Sequence, residues 1–140
     1  MESLHYLLMK SHSLLQRRIM VRASQLGLTS GQPKVLDYLS RYGESDQKTI
    51  ASYCEIEQAT MGSILYRMEK AGLVIRRQHE GNRRSVYVSL SRKGEQAAAA
   101  MSEAFAQAEN EAVADLTPEE VETLKKTLVK LSDTLEAASK

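Results

Sequence analysis

Residues 46–90 constrain the fold more than any other part of this 140-residue chain. The stretch opens DQKTIASYCEIEQATMGSILYRMEKAGLV, two short patterns of helical periodicity parted by a turn at Glu55 to Glu57. It closes IRRQHEGNRRSVYVSL, in which apolar and polar residues alternate on either side of Glu80-Gly81-Asn82. The order is helix, turn, helix, hairpin.

The two helical patterns have different characters. Asp46 is placed to cap the first, which turns Ile50, Ala51 and Cys54 inward, and the small Ala51 lets a neighbouring helix approach closely. In the second, Met61, Ile64, Leu65 and Met68 share one face at 100° per residue. Ala59, Thr60, Ser63, Tyr66, Arg67 and Lys70 occupy the other face, joined by Gln58 at the N-terminal end. Small and hydrogen-bonding groups in the early turns, followed by cations, suit a helix that meets base edges first and phosphates later. An ordinary solvated helix can carry the same residues.

The hairpin adds weight to the first reading. Gly72 follows the helix as a C′ residue, Leu73 to Ile75 begin one strand, and Val86, Val88 and Leu90 alternate along another. Arg76, Arg77, Arg83 and Arg84 crowd the tip between them. Four guanidinium groups there have no core to serve and suit a phosphate backbone or a narrow minor groove. Charge also protects exposed sheet edges, which is the competing explanation. The whole arrangement predicts a mainly α chain with a small β-hairpin wing (α+β), a winged helix-turn-helix that lays one helix in the DNA major groove.

Charge is divided to match. Residues 1–40, 41–93 and 94–140 carry +3, +4 and −6, hidden within a formal net charge of +1. A basic centre with an acidic C-terminal segment fits contact with a polyanion through one part only. Variation along solvated helices would give a similar division.

The flanks read as helices. From Glu2 to about Leu26, the residues Leu4, Leu7, Leu8, Leu14, Leu15 and Ile19 recur near helical spacing. Arg17, Arg18 and Arg22 read as a solvated face, with contact to phosphate or a ligand as the alternative, and His5 and His12, which have no metal-ligand spacing with other His or Cys, as surface or interface residues. Thr29 and Gln32 have capping-box spacing, predicting a second helix that opens there, carries Pro33 in its first turn and a Val35, Leu36, Leu39 stripe, and ends near Gly43. A fifth helix runs from Arg92 into the 110s, Ala-rich in its middle, with apolar marks at Met101, Phe105 and Val113. Thr117-Pro118-Glu119-Glu120 is a strong helix start. Beyond it Val121, Leu124, Leu128, Leu131 and Leu135 are spaced three, four, three and four apart, a seam for another helix, within the chain or from a second copy.

From Leu28 to Gly94 the chain resembles the MarR family of regulators, and more loosely it does so over its whole length. The family's wing pattern is Asp, any residue, Arg, five residues, Leu-Thr, two residues, Gly. Here it stands as Asn82-Arg83-Arg84, five residues to Leu90-Ser91, then Arg92-Lys93-Gly94. Met68 to Val74 resembles the end of the family's recognition helix, and Leu28-Thr29 with Gln32 the start of its second helix. In the family the wing Asp pairs with Arg; Asn82 keeps an acceptor without the charge, which roughly halves such a contact and implies a looser wing. Ser91 in place of Thr is nearly neutral, because both cap the helix that follows.

The resemblance implies a sequence-specific transcriptional regulator, a repressor relieved by a small, often aromatic, effector. It binds double-stranded DNA at a pseudo-palindromic operator as a homodimer. Residues 29–94 would form the DNA-binding lobe, and residues 1–28 and 95–140 the helical dimerisation region, with Leu4, Leu8, Val121, Leu124, Leu128, Leu131 and Leu135 at the interface. His12, Arg17, Tyr38 and Tyr42 are the candidates to line an effector pocket, although core packing and surface placement explain them equally well. Family members that sense peroxide use a cysteine near the first helix; this chain has none there, which argues against that mechanism. An architectural or protein-interaction winged helix with little sequence preference is the competing reading.

Other chemistry finds no foothold. Gly-rich phosphate loops, paired-His metal motifs and a nucleophile in a recognisable setting are absent from the sequence, so neither an enzyme nor a cofactor is expected. The single cysteine, Cys54, cannot form an internal disulfide and reads as a small buried hydrophobe rather than a redox switch. With no leader pattern and no long apolar run, a cytoplasmic protein without membrane contact is expected.

Overall fold

In the computed structural model, which describes residues 1–139 and the side chains of all of these except Asn82 and Arg83, the chain forms six helices and a three-stranded sheet. Helix α1 spans Leu4–Gln25, α2 Gln32–Tyr42, α3 Gln47–Cys54, α4 Gln58–Lys70, α5 Arg92–Ala112 and α6 Pro118–Ala138; the strands are β1 Ser45–Asp46, β2 Val74–His79 and β3 Asn82–Leu90. None of the described helices is long and apolar enough to cross a membrane.

Local chemistry sets most helix starts. Ser3 Oγ accepts from the Tyr6 N–H at 3.3 Å, Asp46 Oδ1 from Thr49 at 2.7 Å, and Ser91 Oγ from Gly94 at 3.0 Å. At α6 the capping box is complete, with Glu120 N–H donating to Thr117 Oγ1 at 3.1 Å and Thr117 N–H to Glu120 Oε1 at 3.0 Å. The expectation at Thr29 needs correction. Gln32 Oε1 does reach back to accept from Thr29 N–H at 3.1 Å, but α2 begins at Gln32, and its N-cap is Gly31 at φ 85°. A left-handed residue turns the chain there, so half of the box is made ahead of the helix rather than at its cap.

The core gathers α2, α3, α4, the end of α1 and the inner face of α5. Leu36, Ile50, Met61, Leu65, Met68 and Met101 are its largest fully buried side chains, each worth roughly 1.5–3 kcal/mol in removal of apolar surface from water. Val35 and Leu39 of α2 and Ile50, Ala51 and Cys54 of α3 are buried with them. Alanines at 98, 104 and 108 let α5 lie close to its neighbours. Val113 falls just past that helix, as its C-cap. Arg18 and Arg22 of α1 both pair with Glu111 near the far end of α5, at 3.3 and 2.8 Å.

The hairpin is part of a larger sheet than the sequence suggests. Strand order is β1-β3-β2, antiparallel throughout, with Ser45 opposite Val88 and Asp46 opposite Tyr87. The pairing of β2 with β3 is regular from Val74–Leu90 to Gln78–Val86, then shifts so that His79 faces Asn82 across Glu80 and Gly81. Gly81 takes φ 80°, as the tight turn requires.

Two apolar surfaces stay open. Helix α6 buries no residue, and Leu124, Leu128 and Leu135 are exposed by 39–60%. In α1 only Ile19 and Ala23 are buried, leaving Leu4, Leu7, Leu8 and Leu14 exposed. The leucine series of α6 therefore does not serve an intramolecular helix pair.

Candidate nucleic-acid interface

Helix α4 presents two unlike faces. Met61, Ile64, Leu65 and Met68 are buried, and Gln58, Ala59, Thr60, Ser63, Tyr66, Arg67 and Lys70 are all exposed. The periodicity of the sequence separates these sets correctly because apolar burial at every third or fourth residue fixes the rotation of a helix about its axis. Gln47 at the start of α3 donates from Nε2 to the Gln58 carbonyl at 3.3 Å, joining the two helices at their close approach. Ser63 Oγ leans back to the Ala59 carbonyl at 3.5 Å, and Lys70 Nζ sits 5.4 Å from the centre of the Tyr66 ring. The result is a polar, partly aromatic ridge with cations toward its C-terminal end.

The wing arginines fall into different settings. Arg84 is exposed. Arg76 is half-buried and faces Val88 across the sheet. Arg77 is exposed, but its Nε donates to Glu44 Oε2 at 2.9 Å. The side chains of Asn82 and Arg83 lie outside the described residues, and with them the expected change in the wing contact. Arg77 thus does not stand free at the tip.

Sequence reasoning missed the group that holds Arg77. Glu44 Oε1 also lies 2.9 Å from His79 Nε2, and the His79 ring is stacked on Tyr87 with 3.6 Å between centroids and 1° between planes. Hydrogen bonds from Arg77 and then His79 hold the Glu44 carboxyl below its ordinary range. Nothing local in the sequence joins them, because Glu44 lies 30 residues before Val74, where the hairpin that holds His79 and Tyr87 begins.

The four expected pocket residues do not converge. Tyr38 and Tyr42 pack with Tyr53, at centroid separations of 5.0 to 5.4 Å, beside a groove of about 670 Å³ that Lys48, Thr49 and Ser52 complete. Tyr38 also hydrogen-bonds Ser45 at 2.8 Å, hydroxyl to hydroxyl. His12 and Arg17 are exposed on α1 and do not line that groove. A separate cleft of about 500 Å³ brings Gln16, Lys34, Thr60, Ser63 and Arg67 together between α1, α2 and α4. Cys54 is buried, and burial pushes its thiol up to about 11.

Comparison with known proteins agrees with this geometry. The MarR family model matches residues 28–86. The HTH-type transcriptional regulator FarR of Neisseria gonorrhoeae is 33% identical over 72 residues, which are 51% of this chain and 49% of FarR. The match thus spans about half the length of that curated relative. Among solved structures, the transcriptional regulator PA4135 is similar at 26% identity and a TM-score of 0.84, covering 95% of this chain and 98% of its own. NadR, in complex with 4-hydroxyphenylacetate, is similar at 25% identity and a TM-score of 0.79, covering 94% and 93%.

Proposed function

We propose that the protein is a MarR-family, sequence-specific, DNA-binding transcriptional regulator that acts as a homodimer, a reading supported by the match of residues 28–86 to the MarR family model and by the winged helix-turn-helix fold. The observation that carries the proposal is the division of α4, whose polar and cationic face is exposed beside an arginine-bearing wing while its apolar face is buried. In this reading Thr60, Ser63 and Gln58 meet base edges, and Arg67, Lys70, Arg76 and Arg84 meet phosphates. Arg77 belongs to the support of the wing.

Residues 29–94 act as the DNA-binding lobe, and residues 1–28 and 95–140 as the dimerisation region. Support comes from the exposed leucines of α1 and α6, which burial against a second copy would cover. Two-fold symmetry would then place recognition helices on half-sites about 34 Å apart.

A small aromatic effector completes the proposal, with DNA released when it binds. NadR, similar over nearly the whole chain, has been solved in complex with 4-hydroxyphenylacetate, which supports an effector of this kind. An effector acts only through its differential affinity for DNA-competent and DNA-incompetent forms. The cleft that includes Lys34 and Arg67 is the more fitting place for an aromatic acid, since both cations border it and Thr60 and Ser63 belong to the base-reading ridge.

The experiment is selection of bound sequences from a random duplex pool at moderate salt. An enriched inverted repeat with half-sites about one turn apart is the expected result. Binding without enrichment would overturn sequence-specific regulation in favour of an architectural role.

A further inference from the structure

We propose that Lys93 and Ser91 are positioning residues that lock the C-terminal end of α4 to the first turn of α5, so that the two helices move as one body. The inference deepens the regulatory reading and rests on it only for its consequence at DNA.

Three successive carbonyls follow the last turn of α4, and all three are taken by the start of α5. Lys93 Nζ donates to Ala71 O at 2.8 Å, Ser91 Oγ to Gly72 O at 2.5 Å, and the Ser91 N–H to Leu73 O at 3.0 Å. The carbonyls of Arg67, Met68 and Glu69 are taken by the N–H groups of Ala71, Leu73 and Gly72, so these three, just past the helix end, need partners of their own. The Lys93 cation also sits where the negative end of the α4 dipole favours it. Ser91 has a double task, because its Oγ simultaneously accepts the Gly94 N–H at 3.0 Å as the N-cap of α5. A single hydroxyl therefore binds the turn that follows one helix and caps the start of another.

Backbone proximity makes the junction rigid. A Cβ on Gly94 would lie 2.0 Å from Leu73 O, so the two segments meet at a distance that only a residue without a side chain allows. The opposite end of α4 is held differently, since its N-cap Glu57 makes no side-chain capping bond. At its far end α5 is tied to α1 through Glu111. A tilt of the long helices is thereby passed to the ridge of α4 through Lys93 and Ser91.

The test measures the junction without DNA first. In the full chain with Cys54→Ala, spin labels are placed at the exposed positions Glu69→Cys on α4 and Ser102→Cys on α5, and their distance distribution is recorded by pulsed electron resonance. Lys93→Met is expected to broaden the distribution, with Lys93→Arg, which keeps a cationic donor, restoring its width. Lys93 is exposed, so this variant keeps the fold even where Ser91→Ala does not. A Lys93→Met distribution as narrow as that of the parent overturns the proposal.

The second readout is binding to inverted repeats whose half-site spacing is changed by single base pairs. Lys93→Met should discriminate less between spacings while keeping the base preference within each half-site, an outcome that simple loss of stability does not produce. Lost affinity with spacing discrimination intact counts against the lock. If the parent protein selects no repeat but the distances behave as stated, the lock stands and the regulatory reading falls.

Discussion

Glu44 Oε2 lies 2.9 Å from Arg77 Nε, an ion pair that joins the segment before β1 to β2 on the opposite edge of the sheet. The same carboxylate meets His79 at 2.9 Å, and His79 lies flat on Tyr87 of the central strand. Through Glu44 the segment leading into β1 is thus joined directly to β2, and by way of His79 to the central strand, toward the tip of the wing.

Glu44→Gln should lower the melting temperature at neutral pH. The folded-state pKa of Glu44 is held below its ordinary 4.5 by Arg77 and His79, so the contribution is fully present above the ordinary value and is lost as pH falls through the folded one. Melts of parent and variant from pH 7 to pH 3 should therefore differ most at the upper end and converge in acid. A constant difference across that range would remove the carboxylate charge from the explanation.

Gly94→Ala should destabilise the fold by about 1–3 kcal/mol or more, the usual range for overpacking, because the added carbon meets backbone rather than a side chain that can rotate away. Urea unfolding checks this through a lower midpoint at unchanged slope.

Arg84→Ala should weaken binding to every duplex and reduce the dependence of log K on log salt by about 1, the share of a single phosphate contact. Arg77→Ala should change that slope less than Arg84→Ala does, since its guanidinium is engaged with Glu44. Equal slopes for the two variants would contradict the division made here. Ser63→Ala and Gln58→Ala should instead alter which sequences are selected.

Cys54 should react slowly with thiol reagents in the native protein. Burial raises its pKa from 9.0 to about 11, so very little thiolate exists near neutral pH, and the sulfur is enclosed as well. Labelling in urea should be orders of magnitude faster. Prompt native labelling, with loss of DNA binding under mild peroxide, would make this cysteine a sensor after all.

What was legible in the sequence was local or periodic. The caps at Asp46, Ser91 and Thr117 depend on atoms three residues apart, and the two faces of α4 depend on a repeat within 13 residues. What was not legible depends on distant pairing. The two residues of β1 become a strand only because β3 lies beside them, more than 40 residues later. Arg77 read as a DNA contact because its partner, Glu44, is 33 positions away. The glycine in the wing pattern was recognisable as a motif, but its reason, the Leu73 carbonyl, emerges only from the approach of two backbones. Gly31, rather than Thr29, caps α2 because a left-handed turn shifts the helix start, which side-chain spacing alone does not reveal.

Leucine substitution offers a direct check on association. Leu124→Glu together with Leu128→Glu should yield a sedimenting monomer, as charge is placed on the open stripe of α6. A dimer that persists would assign self-association to some other surface.

The uncovered stripe of α6 also ties the durability of each chain to how many chains there are. If a second copy covers it, burial is supplied by mass action, and resistance to unfolding rises with protomer concentration rather than being a fixed property of the sequence. A cell making few copies would hold molecules that are both poor at spanning two half-sites and more readily unfolded and degraded, so scarcity would be reinforced by faster loss.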